Sequence, residues 1–400
     1  MARDAEEHLV SARDKDPLMH EWLQRARTLG PLIEQYRDQG EETRRLPRPL
    51  FDAMREAGLF RMWAPRRFGG EELEPEVELQ VVEELSRHDG SVGWNVMIAA
   101  NHDLLWGYLD TEVAGAIMGG NADAVIAGTI FAGTGTAQPA PGGYRISGRW
   151  RFASGCHHAD CMVASCTISD EGGRPRVGPD GVPQIFGFLL KPADCKIIDT
   201  WHTTGMRGTG SQDFETHDAF VPEGYYWQAG ARACDPGPLY NMPIYYFWAP
   251  NLAAVALGIA RSAIDAFVEL AANKRSTRNP TVLAQREVVQ TQMGEAEALV
   301  RSGRSFVFEA LRSNWASLTA GRAVSEEQLA CLRLAAATAV SNAVRAVDLM
   351  YAAAGSASIY ERSRIERCFR DVHMMPQHAV VGPAVFGLVG RFFLGLGLGR

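Results

Sequence analysis

GYRISGRWRFASG occupies residues 143–155, directly after Pro141-Gly142. The turn formers before this stretch and the run Tyr144-Arg145-Ile146 inside it are typical of a short β-strand that follows a tight turn. Ser154 and Gly155 close the stretch, so a small hydroxyl group follows the strand. Because glycine has no Cβ, the backbone beside Ser154 can approach a flat ligand closely. The stretch therefore predicts a strand that ends in a candidate binding loop.

The same pattern of short runs and turns continues after this strand. Paired turn formers return at Glu171-Gly172-Gly173 and at residues 178–181, which read Gly-Pro-Asp-Gly. Between the turns lie short apolar runs from Cys161 to Thr167 and from Ile185 to Leu190. Short runs separated by turn formers predict a β domain, which we place at residues 122–235.

Helical patterns come before the β domain, in residues 1–121. Leu50, Met54 and Leu59-Phe60 follow a helix-like spacing. Pro75 opens a second helical segment, which ends near Asp89-Gly90. A third candidate helix runs from residue 92 to about residue 108.

Long alanine-rich segments come after the β domain, in residues 236–400. They predict helices over roughly 250–274, 281–318 and 326–353. Ser325 with Gln328 matches a capping box, and Gly355 is a candidate C′ residue. The fold class predicted by this order is α+β and multi-domain, with a helical N-terminal domain, a β-barrel-like middle domain and a C-terminal helical bundle.

Composition excludes several classes of protein. The chain has 400 residues, of which 46% are hydrophobic and 22% charged, with a formal net charge of −7. These values are ordinary for globular domains, so extended disorder and collagen-like structure are excluded. The negative charge and the lack of a block of like charges exclude a nucleic-acid binder that relies on a basic surface.

Cysteine usage and the N-terminal residues predict a cytoplasmic protein with free thiols. The seven cysteines form no CxxC pair, and the first residues lack the apolar run of a signal peptide. The stretch 379–399 is apolar over about the length of a membrane span, but Pro383, Arg391 and six glycines interrupt it. We therefore expect a buried or interface-docked C-terminal helix and no membrane partner.

Three motifs together resemble the acyl-CoA dehydrogenase superfamily. They are the stretch 143–155, the segment Gly205–Ser211 (GMRGTGS) followed by Phe220-Val221-Pro222, and the turn Phe68-Gly69-Gly70. Each motif alone is weak, but the resemblance extends over the chain from about residue 25. It implies an acyl-CoA dehydrogenase-like fold, whose C-terminal domain is a four-helix bundle.

Three further motifs resemble the flavin-dependent monooxygenase branch of that superfamily. They are residues 89–94 (DGSVGW) followed by His102, residues 154–159 (SGCHHA), and residues 370–373 (RDVH) followed by His378. This branch contains the oxygenase components of two-component aromatic and hydroxysteroid hydroxylases, and dibenzothiophene monooxygenases. In dehydrogenases of the superfamily a catalytic Glu follows the same Arg-Asp, whereas here residues 377–380 read Gln-His-Ala-Val. Glu269 is the alternative carboxylate if the base is displaced to another helix.

The resemblance implies a reaction in which reduced flavin and O2 form a C4a-hydroperoxide that transfers one oxygen atom to the substrate. Ser154 then lies at flavin N5, where loss of the proton would release hydrogen peroxide. His378 is the expected base, because an imidazole titrates near neutral pH. His102 is expected to face the substrate pocket. The alternative for Ser154 is a serine that caps its own loop. The alternative for His378 is a core histidine, and the alternative for His102 is a surface or helix-end histidine.

The resemblance also implies the residues that bind the cofactor. Trp201 and Ser211 are expected at the edge of the isoalloxazine ring, together with Arg207. Arg278 matches an arginine that crosses to the flavin phosphate of a neighbouring subunit, where a guanidinium binds phosphate oxygens well. The alternative for Arg278 is a solvated charge at a helix end. The expected cofactor is reduced FMN, with FADH2 tolerated.

Two other side-chain groups have a simpler interpretation. A cluster in residues 156–166 lacks the second ligand pair of a zinc site, and Cys161 and Cys166 are predicted to face opposite sides of a strand, so no metal site is expected. Five aromatic residues could line a substrate pocket, but an aromatic residue at such spacing is more often a core residue. The cluster comprises Cys156, His157, His158, Cys161 and Cys166, and the aromatic residues are Trp106, Phe131, Tyr245, Tyr246 and Trp248.

The sequence therefore predicts a monooxygenase that receives reduced flavin from a separate reductase and acts on a small aromatic, phenolic or polycyclic molecule. A homotetramer is expected. The alternatives are an acyl-CoA dehydrogenase with a displaced base and a non-catalytic member that keeps only the scaffold.

Overall fold

The computed structural model describes residues 17–119, 121, 123–130, 134–170, 172–178, 181–228, 231–242, 245–275 and 281–398. The chain order of its elements is helices, then strands, then helices.

The N-terminal helices are α1 (Pro17–Thr43), α2 (Arg48–Glu56), α3 (Pro75–His88), α4 (Gly90–Asp103) and α5 (Thr111–Met118). Pro75 begins α3, as its position predicts. The Asp89 carboxylate caps α4 by accepting from the backbone N–H of Ser91 and Val92, at 2.8 and 3.3 Å. The third predicted helix thus begins at residue 90 and continues beyond residue 103 as a 3-10 turn, Leu104–Tyr108.

The strands are β1 (Ile126–Thr129), β2 (Gly135–Ala140), β3 (Gly143–Ala153), β4 (Cys161–Ile168), β5 (Ile185–Leu190), β6 (Lys196–Ile198), β7 (Gln212–Pro222) and β8 (Tyr226–Gln228). They form one sheet in the order β6-β7-β3-β2-β4-β5-β8, and β1 pairs in parallel with β4. The quoted stretch is β3, which pairs antiparallel with β7.

Side chains of the sheet alternate between two hydrophobic clusters. Trp150 of β3 lies in the cluster on one face and stacks on Phe214, with the ring centroids 4.9 Å apart. On β4, Cys166 belongs to that same cluster, whereas Cys161 belongs to the large core shared with the helices. The prediction that these two cysteines face opposite sides is confirmed.

The C-terminal helices are α6 (Tyr245–Asn273), α7 (Glu287–Thr319), α8 (Glu326–Ala354), α9 (Arg364–Val372) and α10 (Ala384–Phe393). The long helices α6, α7 and α8 pack together, and the short α9 packs on α6 and α8 to complete the bundle. Ser325 and Gln328 form the predicted capping box, and Gly355 ends α8 at a φ of 56°.

Helix α6 joins the N-terminal helices to the bundle. A Cβ at its Gly258 would collide with the carbonyl oxygen of Glu83, so glycine here allows α3 and α6 to approach closely. Residues 246–273 are long and apolar enough to cross a membrane, but 78% of the apolar window is buried inside the protein, as in a core helix. Val385 and Val389 of α10 are buried, whereas Phe386 and Phe393 of the same helix are exposed.

Candidate active site

The site forms where α4 passes the ends of two neighbouring strands. Ser154 follows the last residue of β3, and Ser211 precedes the first residue of β7. The backbone N–H of Gly155 donates to the carbonyl oxygen of Thr209 at 3.0 Å, which fixes one loop against the other. Two loops that are about 55 residues apart in sequence are therefore held in a single arrangement.

A continuous row of hydrogen bonds runs through these loops. The indole N–H of Trp94, on α4, donates to the Ser154 hydroxyl at 2.9 Å. The hydroxyls of Ser154 and Ser211 are 2.7 Å apart, as are those of Ser211 and Thr209. The row ends at the carbonyl oxygen of Met206, which accepts from the Thr209 hydroxyl at 2.8 Å. We call these groups, Trp94, Ser154, Ser211, Thr209 and the Met206 carbonyl, the hydroxyl row.

Two aromatic side chains flank the hydroxyl row on its outer side. The Trp201 indole N–H donates to the same Met206 carbonyl oxygen at 3.1 Å. Phe152 meets Trp201 edge to face, with the ring centroids 6.2 Å apart. Phe152 is 66% exposed and adopts a left-handed φ of 64°, in the register shift between Trp150 and Ala153. An exposed phenyl ring in an unfavourable backbone conformation beside a polar loop is consistent with a surface that covers a flat ligand.

Four aromatic rings link this loop to the interior. Trp94 lies edge-on to His378, with the centroids 6.2 Å apart. The ring of His378 is nearly parallel to that of Trp248 on α6, with the centroids 6.4 Å apart. Trp248 in turn lies edge-on to His102 of α4, with the centroids 5.8 Å apart. The structure thus places Ser154, His102 and His378, the three predicted catalytic residues, in one connected set of side chains.

His102 is a buried, neutral imidazole with one free acceptor. Its Nδ1 lies 2.9 Å from the carbonyl oxygen of Ile126, which can only accept, so Nδ1 carries the hydrogen. Burial lowers the pKa of His102 to about 4. Its Nε2 is buried and has no hydrogen-bond partner among the described residues. The ring therefore presents an unused lone pair, which is the group that accepts a proton or an N–H or O–H donor.

His378 is arranged in the opposite way. It follows the 3-10 turn Met375–Gln377, and its Nδ1 accepts from the backbone N–H of Val380 at 3.4 Å. In the neutral ring the hydrogen then lies on Nε2, which can donate. Burial lowers the pKa of His378 to about 4, so it is uncharged at neutral pH. His378 as the base remains a prediction, and His102 has the more available lone pair.

Burial of neutral His102 makes the protein sensitive to acid. Its pKa is lower in the folded state than the ordinary 6.5, so the stabilisation is complete above pH 6.5 and is lost as the pH falls to about 4. The wild type is expected to lose about 2–3 kcal/mol more free energy of unfolding than His102→Asn between about pH 7.5 and 4.5. Urea unfolding at both pH values measures this difference. His20→Asn, which changes an exposed histidine, serves as the control, and an equal loss in all three proteins would contradict the assignment.

The two arginines predicted to bind the flavin differ in what the structure describes. Arg207 donates to the carbonyl oxygens of Glu41 and Thr203, both at 3.1 Å, so part of its guanidinium already binds the protein and its flavin contact remains a prediction. Arg278 lies outside the described residues, as do Phe131 and the side chain of Tyr245. The described residues contain no group of three or more His, Cys, Asp or Glu side chains that could hold a metal ion.

Sequence reasoning left Phe152, Thr209 and Asp371 without a role in the site. Asp371 accepts from the backbone N–H of Met206 at 2.6 Å and so holds the end of the hydroxyl row. Burial and repulsion by Asp89 raise the pKa of Asp371 to about 7, even though Met206 and Arg370 oppose this shift. Phe152 and Thr209 lie within the quoted motifs, but the sequence does not show what they contact. The exposed position of Phe152 depends on the irregularity in β3, and the role of Thr209 depends on its hydrogen bond to Ser211.

Trp106 is fully buried in the core, and the ring of Trp248 lies beside both His102 and His378. Glu269, the alternative base, is exposed on α6, whereas His102 and Trp248 are buried. The geometry therefore supports His102 or His378, and not Glu269, as the proton-accepting group.

Two sequence profiles match the chain on either side of the sheet. The profile described as "Acyl-CoA dehydrogenase, N-terminal domain" matches residues 25–111, and the profile described as "Acyl-CoA dehydrogenase, C-terminal domain" matches residues 251–383.

Named relatives are similar over nearly the whole chain. Indole-3-acetate monooxygenase of Pseudomonas putida is 32% identical over 356 residues, which is 89% of each protein. The oxygenase component of FADH2-dependent resorcinol hydroxylase from Rhizobium sp. (strain MTP-10005) is 29% identical over 381 residues, 90% of each protein. The solved structure of XiaF from Streptomyces sp., in complex with FADH2 and glycerol, has a TM-score of 0.88 and 27% identity, and the match covers 95% of this chain and 96% of that one.

Proposed function

The chain belongs to the flavin-dependent monooxygenase branch of the acyl-CoA dehydrogenase superfamily, and from that premise we propose that it is the oxygenase component of a two-component system. It takes reduced flavin from a separate reductase and inserts one atom of O2 into an aromatic, phenolic or polycyclic small molecule. The observation that carries the proposal is the hydroxyl row of Ser154, Ser211 and Thr209, joined through Trp94 to His378, Trp248 and His102.

The residues present fit a reduced flavin. Gly155 adopts a φ of 73° and a Cβ there would approach the Asn95 amide oxygen within 3.0 Å, so only glycine is well tolerated beside Ser154. Phe152 and Trp201 offer aromatic surface next to the hydroxyl row. Bound reduced flavin supplies the electrons that activate O2. Ser154 would accept the hydrogen bond from N5–H, and Trp201 and Ser211 would contact the edge of the ring.

The histidines act on the substrate side. His102 accepts a hydrogen bond from the ring N–H or O–H of the substrate through Nε2, and His378 donates through its own Nε2. Trp248, between the two histidines, provides a flat apolar surface for an aromatic ring. Because His102 and Trp248 are buried and His378 is partly buried, these side chains limit the access of water to the reacting atoms.

The cofactor proposal is FADH2, with FMN also accommodated. The sequence alone favoured FMN. Resorcinol hydroxylase and XiaF, whose names or descriptions specify a flavin, both specify FADH2, and each is more than 25% identical to this chain. Relative affinity for the two reduced flavins decides between them.

The assembly proposal is a cytoplasmic homotetramer with Arg278 directed to the flavin phosphate of a neighbouring subunit. Exposed apolar side chains on and after α10 support packing between subunits, because such side chains are normally covered. They are Phe386, Phe393, Leu394 and Leu396.

The proposed function predicts a defined reaction of the purified chain. With chemically or enzymatically reduced FAD, O2 and either indole-3-acetate or a phenol such as resorcinol, we expect a product that is heavier than the substrate by one oxygen atom, measured by mass spectrometry with 18O2. A panel of saturated acyl-CoA thioesters with a dye acceptor is the matched comparison.

The chain is expected to leave the thioesters unchanged, because residues 377–380 lack a carboxylate and Glu269 is exposed. Oxidation of an acyl-CoA without oxygenation of any aromatic compound would instead establish a dehydrogenase. A non-catalytic scaffold would give neither reaction, and replacing Ser154, His102 and His378 would leave its role in the host unchanged.

A further inference from the structure

The direction of every hydrogen bond in the hydroxyl row is fixed by its last member. The Met206 carbonyl oxygen can only accept, and it lies 2.8 Å from the Thr209 hydroxyl, so the single Thr209 hydrogen points to Met206. Thr209 is then an acceptor toward Ser211, which lies 2.7 Å away. Ser211 therefore gives its hydrogen to Thr209 and accepts from Ser154, also at 2.7 Å.

The hydrogen bond made by Trp94, at the other end of the row, also runs in the direction of Met206. The Trp94 indole N–H is a donor only, and it contacts the Ser154 oxygen at 2.9 Å. Ser154 thus uses its one hydrogen toward Ser211 and one of its two lone pairs toward Trp94. What remains is a single lone pair, on a side chain that is only 4% exposed.

We infer that the hydroxyl row makes the site selective for reduced over oxidised flavin, and that Thr209 is a positioning residue that sets this selectivity. The inference rests on the proposed function, which places Ser154 at flavin N5. In reduced flavin N5 carries a hydrogen and donates to the free lone pair of Ser154. In oxidised flavin N5 has only a lone pair, and the Ser154 hydrogen is already committed to Ser211, so two lone pairs face each other.

The direction of these hydrogen bonds depends on the Met206 carbonyl, and several contacts hold that carbonyl in place. Met206 adopts a left-handed φ of 53°, and its N–H donates to the buried Asp371 carboxylate at 2.6 Å. Arg370, the preceding residue on α9, donates to the carbonyl oxygen of Thr204 at 2.6 Å. A Cβ at Gly205 would collide with the Arg370 carbonyl oxygen, so the loop lies directly on α9. The Met206 carbonyl is therefore not free to turn and release Thr209.

Removing the Thr209 hydroxyl tests the inference through binding alone. In Thr209→Val, Ser211 loses its acceptor, so Ser211 can donate to Ser154 and the Ser154 hydrogen becomes available to N5 of oxidised flavin. The ratio of the dissociation constants for oxidised and reduced FAD is expected to fall roughly tenfold, about the effect of one hydrogen bond. Anaerobic titration gives the reduced constant, and quenching of flavin fluorescence gives the oxidised one.

Two variants make this experiment specific. Thr209→Ser keeps a hydroxyl at the same place and is expected to retain the wild-type ratio. Thr203→Val removes a hydroxyl from the same loop, one that donates to Gly205 at 2.9 Å outside the row, and is expected to change nothing. The midpoint potential of bound FAD should fall by about 30 mV in Thr209→Val, which is the tenfold change expressed for a two-electron couple.

The outcomes separate the inference from the function on which it rests. An unchanged ratio in Thr209→Val, with oxygenation by the wild type intact, would overturn the inference alone. An equal shift in Thr203→Val would also overturn it, because the effect would then belong to the loop and not to the row. A wild type that binds neither form of flavin would overturn the proposed function and the inference together.

Discussion

His102→Gln is expected to slow oxygen transfer to the aromatic substrate by about a hundredfold or more, the usual contribution of a positioned general base. The Nδ1–H of His102 is bound to the Ile126 carbonyl, so its Nε2 lone pair is a buried acceptor without a partner within the described residues. Glutamine keeps an amide N–H donor in the side chain but cannot take a proton at neutral pH. Stopped-flow absorbance separates the oxidation of reduced flavin by O2, expected to remain near the wild-type rate, from formation of product.

His378 provides the matched comparison, because sequence alone favours it as the base. If His378 acts as a donor, His378→Gln keeps an N–H group and should stay within about tenfold of the wild type, whereas His378→Ala should lose more. If His378 is the base, His378→Gln should be as slow as His378→Ala, and His102→Gln should retain most of the activity. The two glutamine variants therefore assign the proton acceptor to one histidine.

The pH dependence follows from the pKa values of both rings. Burial lowers the pKa of His102 and His378 to about 4, so both are neutral across the physiological range. Oxygen transfer should be independent of histidine ionisation between roughly pH 6 and 8 and should fall as the pH approaches 4 and the Nε2 lone pair of His102 becomes protonated. An activity that rises with an apparent pKa near the ordinary histidine value would contradict this arrangement.

The sequence predicted the layout of the fold because its signals are local. Turn formers bounded β3, Pro75 began α3, and the Ser325–Gln328 pair began α8, each through contacts within a few residues. Helix α1 was less apparent, because Gly30, Pro31 and Gly40 interrupt its pattern and only its packing against α3 explains it. A helix or strand is therefore easiest to predict where a capping or turn residue stands at the end of a regular pattern of hydrophobic residues.

Motifs in the sequence named candidate site residues but not how they act. The candidates include Ser154, Ser211, His102 and His378, and the structure connects all four through hydrogen bonds and neighbouring aromatic rings, while their roles stay predictions. The direction of a hydrogen bond depends on partners that are distant in sequence, such as the Met206 carbonyl for Ser154 or the Ile126 carbonyl for His102. Sequence alone therefore left Ser154 as a donor or an acceptor and gave both histidines their ordinary pKa.

Ser154→Ala is expected to convert most of the oxygen consumed from product into hydrogen peroxide. In the proposed site, the one free lone pair of Ser154 would accept from N5, and that hydrogen bond would keep the proton whose loss releases peroxide. Losing a hydrogen bond of this kind should speed peroxide release by roughly tenfold, while reduced flavin still binds through the aromatic surface of Phe152 and Trp201. The ratio of product to peroxide per reduced flavin, measured with and without catalase, reports the change directly.

Ser147→Ala is the control for this prediction, because Ser147 lies on the same strand and its hydroxyl accepts from the backbone N–H of Asp218 at 2.8 Å, outside the hydroxyl row. It should couple oxygen to product as the wild type does. Ser211→Ala tests the row from its middle. It removes the group that takes the Ser154 hydrogen, so Ser154 can turn and its lone pair is no longer fixed on N5, and intermediate uncoupling is expected. If Ser154→Ala forms product and peroxide in the wild-type ratio, Ser154 does not contact N5 and the hydroxyl row serves only to join the β3 and β7 loops.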